Sequence, residues 1–200
     1  MREHLDAYQG PKLTRRFDAL VARFTDPALR EVVARSYHKL LTYKDEYEVA
    51  RLHLGTAARL AESFEGDLRL SFHLAPPILG GTGADGRPKK RRFGPWMLPA
   101  FRVLAALKGL RGTPLDLFGY SAERRAERAL IAVFEADMDE LLALGEAADP
   151  EQARRLAELP MEIRGYGPVK EAAERKAAKR REELLATIRA GGTPLKAAAE

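Results

Sequence analysis

Apolar residues at helical spacing run through most of this chain, and one stretch of strict alternation interrupts them. Leu13, Phe17, Leu20, Val21 and Phe24 fall at i, i+4, i+7, i+8 and i+11. That is the stripe of a helix packed on one side, and it predicts a helix beginning near Pro11. Asp26-Pro27 restarts the chain, with Asp26 suited to the N-cap and Pro27 to the first helical position. Leu29, Val32, Val33, Tyr37, Leu40, Leu41, Lys44 and Tyr47 then keep helical spacing. They predict one long helix ended by Gly55, with a short helix over 57–64 after it. From Gly66 the period changes to two. Leu68, Leu70, Phe72 and Leu74 alternate with Asp67, Arg69, Ser71 and His73, the pattern of a strand with one buried face. Pro76-Pro77 stops the strand, the glycine-rich segment 80–86 turns, and Lys89 to Phe93 returns as a second strand. A two-stranded ribbon is marginal alone, so this hairpin, over about 67–93, has to pack on helices.

Pro95-Trp96 opens another helix, with Met97, Phe101, Leu104 and Lys108 along one side, and Gly109 and Gly112-Thr113-Pro114 break it. Ser121 is a good N-cap for a helix carrying Leu130, Phe134, Met138, Leu141 and Leu142. Asp149-Pro150 starts a shorter helix that Pro160 closes, and Gly165 to Pro168 form a turn. A last helix, from about Val169 to Arg189, has a weak apolar stripe and is expected to be largely exposed or to face a partner. The expected fold class is therefore mainly α: a single helical domain, residues 1–190, of about seven helices with one small β-hairpin, and a frayed tail over 191–200.

Composition narrows the chemistry. Cysteine is absent, which removes disulfides, cysteine-ligated iron–sulfur clusters, thiolate zinc sites and cysteine nucleophiles. No apolar run reaches the roughly eighteen residues of a membrane span. The first residues, Met1 to Asp6, contain no apolar signal region, so a cytoplasmic location is expected. The net charge of +5 comes from 34 basic and 29 acidic residues that interleave, a balance that does not demand nucleic acid.

The densest constellation is Tyr43-Lys44-Asp45-Glu46-Tyr47-Glu48-Val49-Ala50-Arg51-Leu52. On a helix Lys44 can pair with Glu48, and Tyr47 with Arg51. Asp45, Glu48 and Arg51 share a face. Three carboxylates could ligate a hard metal, or one could serve as a base. Against this, the Glu-x-x-His pair of metal carboxylate bundles is missing, and interleaved cations compete for the carboxylates. A structural charge network or interdomain seam is favoured over ligand binding, and ligand binding over catalysis.

The run Arg87-Pro88-Lys89-Lys90-Arg91-Arg92 fits a solvated hairpin edge, docking on an acidic partner or on cofactor phosphates, or, less readily, nucleic acid. Trp96 fits a buried anchor at helix entry better than a stacking platform. His38 and His53 would lie near one face of the long helix, and His4 in a loose terminus; no histidine pair has zinc spacing. Arg111 and Arg164 stand beside tight turns, where each would hydrogen-bond nearby carbonyls or a helix C-terminus.

Six stretches, in order, resemble the C-terminal region of the bacterial fused indolepyruvate ferredoxin oxidoreductases. They are Tyr43 to Leu52, Phe72 to Pro77, Arg92 to Met97, Leu107 to Asp116, Phe118 to Arg125 and Ile163 to Lys170. The resemblance implies an accessory or structural module of a 2-oxoacid:ferredoxin oxidoreductase. Such an enzyme decarboxylates arylpyruvates oxidatively to acyl-CoA with thiamine diphosphate, magnesium, coenzyme A and iron–sulfur clusters, and it reduces ferredoxin. Those cofactors belong to other domains. The chain is much shorter than such an enzyme, has no cluster cysteines and lacks the Gly-Asp-Gly…Asn diphosphate pattern, which the segment 83–86 echoes only superficially. No catalytic, cofactor-binding or metal-binding residue carries over, and the isolated chain is not expected to turn over substrate. The implied partners are the catalytic domains or subunits of the larger enzyme. Lys44, Asp45, Glu48, Arg51, Trp96 and Arg111 are the expected interaction residues. Two other readings remain: a free-standing basic module binding nucleic acid or protein through Lys89 to Arg92 and the last helix, and an autonomous enzyme with a carboxylate site at Asp45 and Glu48.

Overall fold

A computed structural model describes residues 1–66, 69–75, 90–165 and 167–191. The chain is mainly α-helical with one small antiparallel hairpin. In order, the described elements are α1 (Arg2–Tyr8), α2 (Pro11–Val21), α3 (Pro27–Leu41), α4 (Glu46–Ser63), β1 (Phe72–Leu74), β2 (Arg91–Phe93), α5 (Met97–Ala106), α6 (Ala122–Leu144), α7 (Pro150–Glu158) and α8 (Pro168–Arg189). Short 3-10 turns follow α5, α6 and α7. The contacts within the chain form two compact units. The first joins Met1–Tyr43 with the segment from Ser121 on, and the second is Lys44–Tyr120.

The first unit is built from α1, α2, α3, α6, α7 and α8. Asp26, Ser121 and Asp149 cap α3, α6 and α7, each accepting the backbone N–H three residues on. These caps satisfy helix-end donors that would otherwise go unpaired. The predicted stripe Leu13, Phe17, Leu20 and Phe24 is buried, together with Val33, Tyr37, Phe134, Met138, Leu156 and Ile188. Tyr37 lies between Phe17 and Phe134, with ring centroids 5.9 and 5.8 Å away. Its hydroxyl donates to Glu135, which also takes a two-bond fork from Arg16 at 2.8 Å.

One expectation for this unit needs correction. The N-terminus is not loose: α1 buries Leu5 and Tyr8, and the Tyr8 hydroxyl donates to the Tyr43 carbonyl at 2.7 Å. Helix α8 has most of its residues exposed, as expected, and buries Ala177, Leu184, Leu185 and Ile188. Four of its seven Lys and Arg meet carboxylates: Arg181 on Asp137, Arg189 on Glu140, Arg180 on Glu162 and Lys170 on Glu127. The dense charges of α8 conceal a core-facing stripe confined mainly to its C-terminal half.

The second unit packs α5 on α4 and sets the hairpin beside them. The hairpin pairs Phe72 with Phe93, His73 with Arg92 and Leu74 with Arg91. The expected strand positions at Asp67 and Leu68, the turn at 76–86 and Lys89 lie outside the described residues, as does the tail from Gly192. Helix α4 corrects the predicted long helix. The break falls at Thr42–Asp45, and α4 runs through Gly55 to Ser63. Asp45 causes the restart: its Oδ1 accepts the Glu48 N–H at 2.9 Å, a strong N-cap signal hidden inside a run that keeps helical spacing. Gly55 is exposed and has open space around its α-carbon. It costs α4 about 0.5–1 kcal/mol relative to alanine, too little to end a helix continued by Thr56-Ala57-Ala58-Arg59-Leu60.

Candidate functional site

The residues brought together in the second unit come from the first turn of α4 and from the segment after α5. Asp45, Tyr47, Glu48, Arg111 and Asp116 are all buried, with exposures of 2–5%. Asp45 caps α4 and takes a two-pronged fork from Arg111, Nε to Oδ2 at 2.5 Å and Nη2 to Oδ1 at 2.9 Å. The guanidinium carbon also stands 5.5 Å from the Tyr47 ring centroid, a cation–π distance. Asp116 is the second anchor. Its carboxylate accepts the Gly112 and Gly119 N–H groups at 2.9 and 3.1 Å and the Tyr47 hydroxyl at 3.1 Å. Glu48 takes a fork from Arg51, with bonds of 2.8 and 2.6 Å.

Burial pushes the Tyr47 hydroxyl up to about 12, helped by the neighbouring Asp116 carboxylate. The Glu48 fork raises the Arg51 pKa, while burial and nearby Arg111 act the other way. The arrangement is a clamp. Asp45 and Glu48 are each engaged by a guanidinium, and the Asp116 oxygens are taken up by backbone N–H groups and a phenol. A buried fork of this kind fixes geometry because losing either partner strands the other charge out of water.

Four of the six expected interaction residues meet here: Asp45 with Arg111 and Glu48 with Arg51. Lys44 is exposed and does not join them. Trp96 corrects the expectation of a buried anchor, since it is 65% exposed and touches Phe93 edge to face. Arg111 is committed to Asp45, and Arg164 follows the expectation for an arginine beside a tight turn: its Nε donates to the Met161 carbonyl at 3.0 Å. Asp116 was missed. Its one local signal is the turn chemistry of Gly112-Thr113-Pro114-Leu115-Asp116, where an aspartate side chain can bond nearby backbone.

The histidines also separate. His53 stacks on Phe101 with centroids 4.9 Å apart and meets Phe72 edge to face, and burial lowers its pKa. It acts as a neutral aromatic in the core of the second unit. His38 instead meets His4, with ring nitrogens 3.1 Å apart. Burial lowers the His38 pKa, and the nearby His4 lowers it further. Among the described residues no cluster of three or more His, Asp or Glu is arranged to hold a metal ion, and no helix is long and apolar enough to cross a membrane. A groove of about 830 Å³ opens in the first unit beside Phe24, Leu29, Leu141 and Ala153. None of the six expected residues lines it.

A sequence profile described as a family of unknown function, DUF6537, matches residues 2–183. The chain belongs to that family. The DUF6537 match runs through both compact units, including the clamp and both segments that build the first unit. No curated protein and no solved structure gives a significant match.

Proposed function

We propose that this chain is an accessory module of a 2-oxoacid:ferredoxin oxidoreductase. It would pack against the catalytic domains or subunits that oxidise arylpyruvates to acyl-CoA, and it would not be catalytic by itself. The reading rests on the six ordered stretches that resemble the C-terminal region of indolepyruvate ferredoxin oxidoreductases. One observation supports it most. Asp45 and Tyr47, from the stretch Tyr43 to Leu52, bond Arg111 and Asp116, from the stretch Leu107 to Asp116. The charged text of the resemblance is thus engaged in holding a shape, as a scaffolding module requires. Thiamine diphosphate, magnesium, coenzyme A and the clusters would be held by the partner.

The test is to tag the chain at its native locus, purify it gently and identify what accompanies it. A thiamine-diphosphate enzyme should be present in stoichiometric amount, and arylpyruvate-dependent reduction of a viologen dye should follow that fraction. Recovery of the chain as a lone monomer, or arylpyruvate oxidation by the chain alone, would overturn the reading.

The basic-module alternative has one observation in its favour. Residues 44–120 carry twelve Lys and Arg against eight Asp and Glu, which is +4 of the net +5 of the chain. The paired cations of α8 weigh against it, since phosphate binding draws on basic groups not already engaged by carboxylates.

A further inference from the structure

Helix α5 is apolar on two opposite faces. One is the core face, where Phe101 is buried and Met97, Leu98 and Leu104 pack around it. The other carries Trp96, Pro99, Ala100, Val103, Ala106 and Leu107, at i, i+3, i+4, i+7, i+10 and i+11. Trp96 is 65% exposed, Val103 60% and Leu107 41%. A helix that is hydrophobic all round belongs in an interior, yet this one shows half of its apolar surface.

Charge restricts what can cover it. From Gly86 to Leu115 the sequence contains no Asp or Glu but eight Lys and Arg. Among the described ones, Arg111 pairs with Asp45 and Arg92 donates to the Ser71 hydroxyl. Arg102 is exposed on α5 itself, and the basic strand β2 reaches the N-terminal end of the stripe through the Phe93–Trp96 contact. Along the sequence the stripe is thus flanked by cations, with no carboxylate in the same thirty residues.

We infer that this face of α5 docks an apolar helix of another protein whose flanks carry Asp and Glu. A second copy of the chain is disfavoured, because two such faces would set cation against cation. The small residues Ala100 and Ala106 between larger ones leave holes suited to the knobs of a partner helix. An anionic membrane would have no use for such holes. Nucleic acid would find only Trp96 to stack on, and nothing in Val103 or Leu107. The inference deepens the accessory-module reading and rests on it for the partner's presence, but not for the chemistry of the contact.

The experiment places a photo-activatable cross-linking residue at position 103 of the full chain in its native host and sequences what is captured. The expected adduct is a peptide of another protein, helical in pattern, with apolar residues at i, i+3, i+4 and i+7 and carboxylates beside them. Val103→Glu and Arg102→Glu should each reduce recovery of that partner at least tenfold while the circular dichroism of the chain stays unchanged. Both positions are exposed, so folding should survive. Adducts with lipid, with nucleic acid, with a second copy or with a basic peptide would overturn the inference, and so would partner recovery unaffected by both variants. The two readings fail separately. A thiamine enzyme that co-purifies unaffected by these variants sinks the α5 face alone. An acidic helix captured from an unrelated protein sinks the oxidoreductase reading alone.

Discussion

The two units of this chain solve the same problem by different means. The first buries a broad set of aliphatic and aromatic side chains from six helices, and many of its ion pairs lie at the surface. Among the described residues, the second has Ala50, Phe72 and Phe101 as the buried members of its apolar cluster. Beside that small core it buries the Asp45–Arg111 fork and the Asp116 carboxylate. Apolar contact is additive and tolerant, whereas a buried fork works only when both partners are present. The second unit should therefore tolerate fewer single polar changes than the first.

The largest expected effect tests this directly. Arg111→Met should destabilise the second unit by about 3–5 kcal/mol, because Asp45 is left buried without its cation. Chemical denaturation should show it. Arg16→Met, which breaks the surface fork to Glu135, should cost about 1 kcal/mol or less. Equal losses from the two would erase the contrast. The first unit should yield instead to a cavity: Leu156, 2% exposed, should cost about 2–5 kcal/mol on replacement by alanine.

A smaller effect depends on pH. Tyr47 in the folded chain titrates at about 12, against about 10 for a free tyrosine. The stability conferred by the neutral phenol is therefore intact below pH 10 and is lost as the pH rises towards 12. Tyr47→Phe should lose about 1 kcal/mol at neutral pH and show a shallower decline between pH 10 and 12. A decline as steep as that of the parent chain would count against the buried Tyr47–Asp116 bond. In the first unit the sign reverses. The pKa of His38 is lowered, so its contribution is present above about pH 6.5 and fades on acidification. His38→Gln should flatten that acid limb.

The smallest expected change is a gain. Gly55→Ala should stabilise α4 by about 0.5–1 kcal/mol, since nothing lies within 4 Å of the added methyl group. A loss would mean that the glycine serves a contact other than helix continuity.

Local signals made much of the fold legible. Asp26, Ser121 and Asp149 announced three helix starts, and the alternation ending at Leu74 announced the hairpin. What failed was signal that two structures share. Leu40, Leu41, Lys44 and Tyr47 keep helical spacing across a real break, so the Asp45 cap was read as one more helical residue. The type and position of Trp96 suit a core anchor, but α5 has apolar residues on both faces and the one that carries Trp96 is exposed. Half of the clamp was legible as charged text around Asp45 and Glu48. Its other half was not, because Arg111 and Asp116 lie 66 and 69 residues from their partners and no local period records such pairings.

The order in which the first unit is assembled also has a consequence for synthesis. Tyr37 stacks on Phe134, and α3 packs on α6 and α7, so α3 acquires those partners only after residues 44–120 have been made. At roughly 5–20 residues per second that interval is about 4–15 s. During it Val33 and Tyr37 have α2 but neither α6 nor α7 to cover them, while the second unit already holds everything it needs to close. The nascent chain should thus be most exposed to chaperones and proteases over α3.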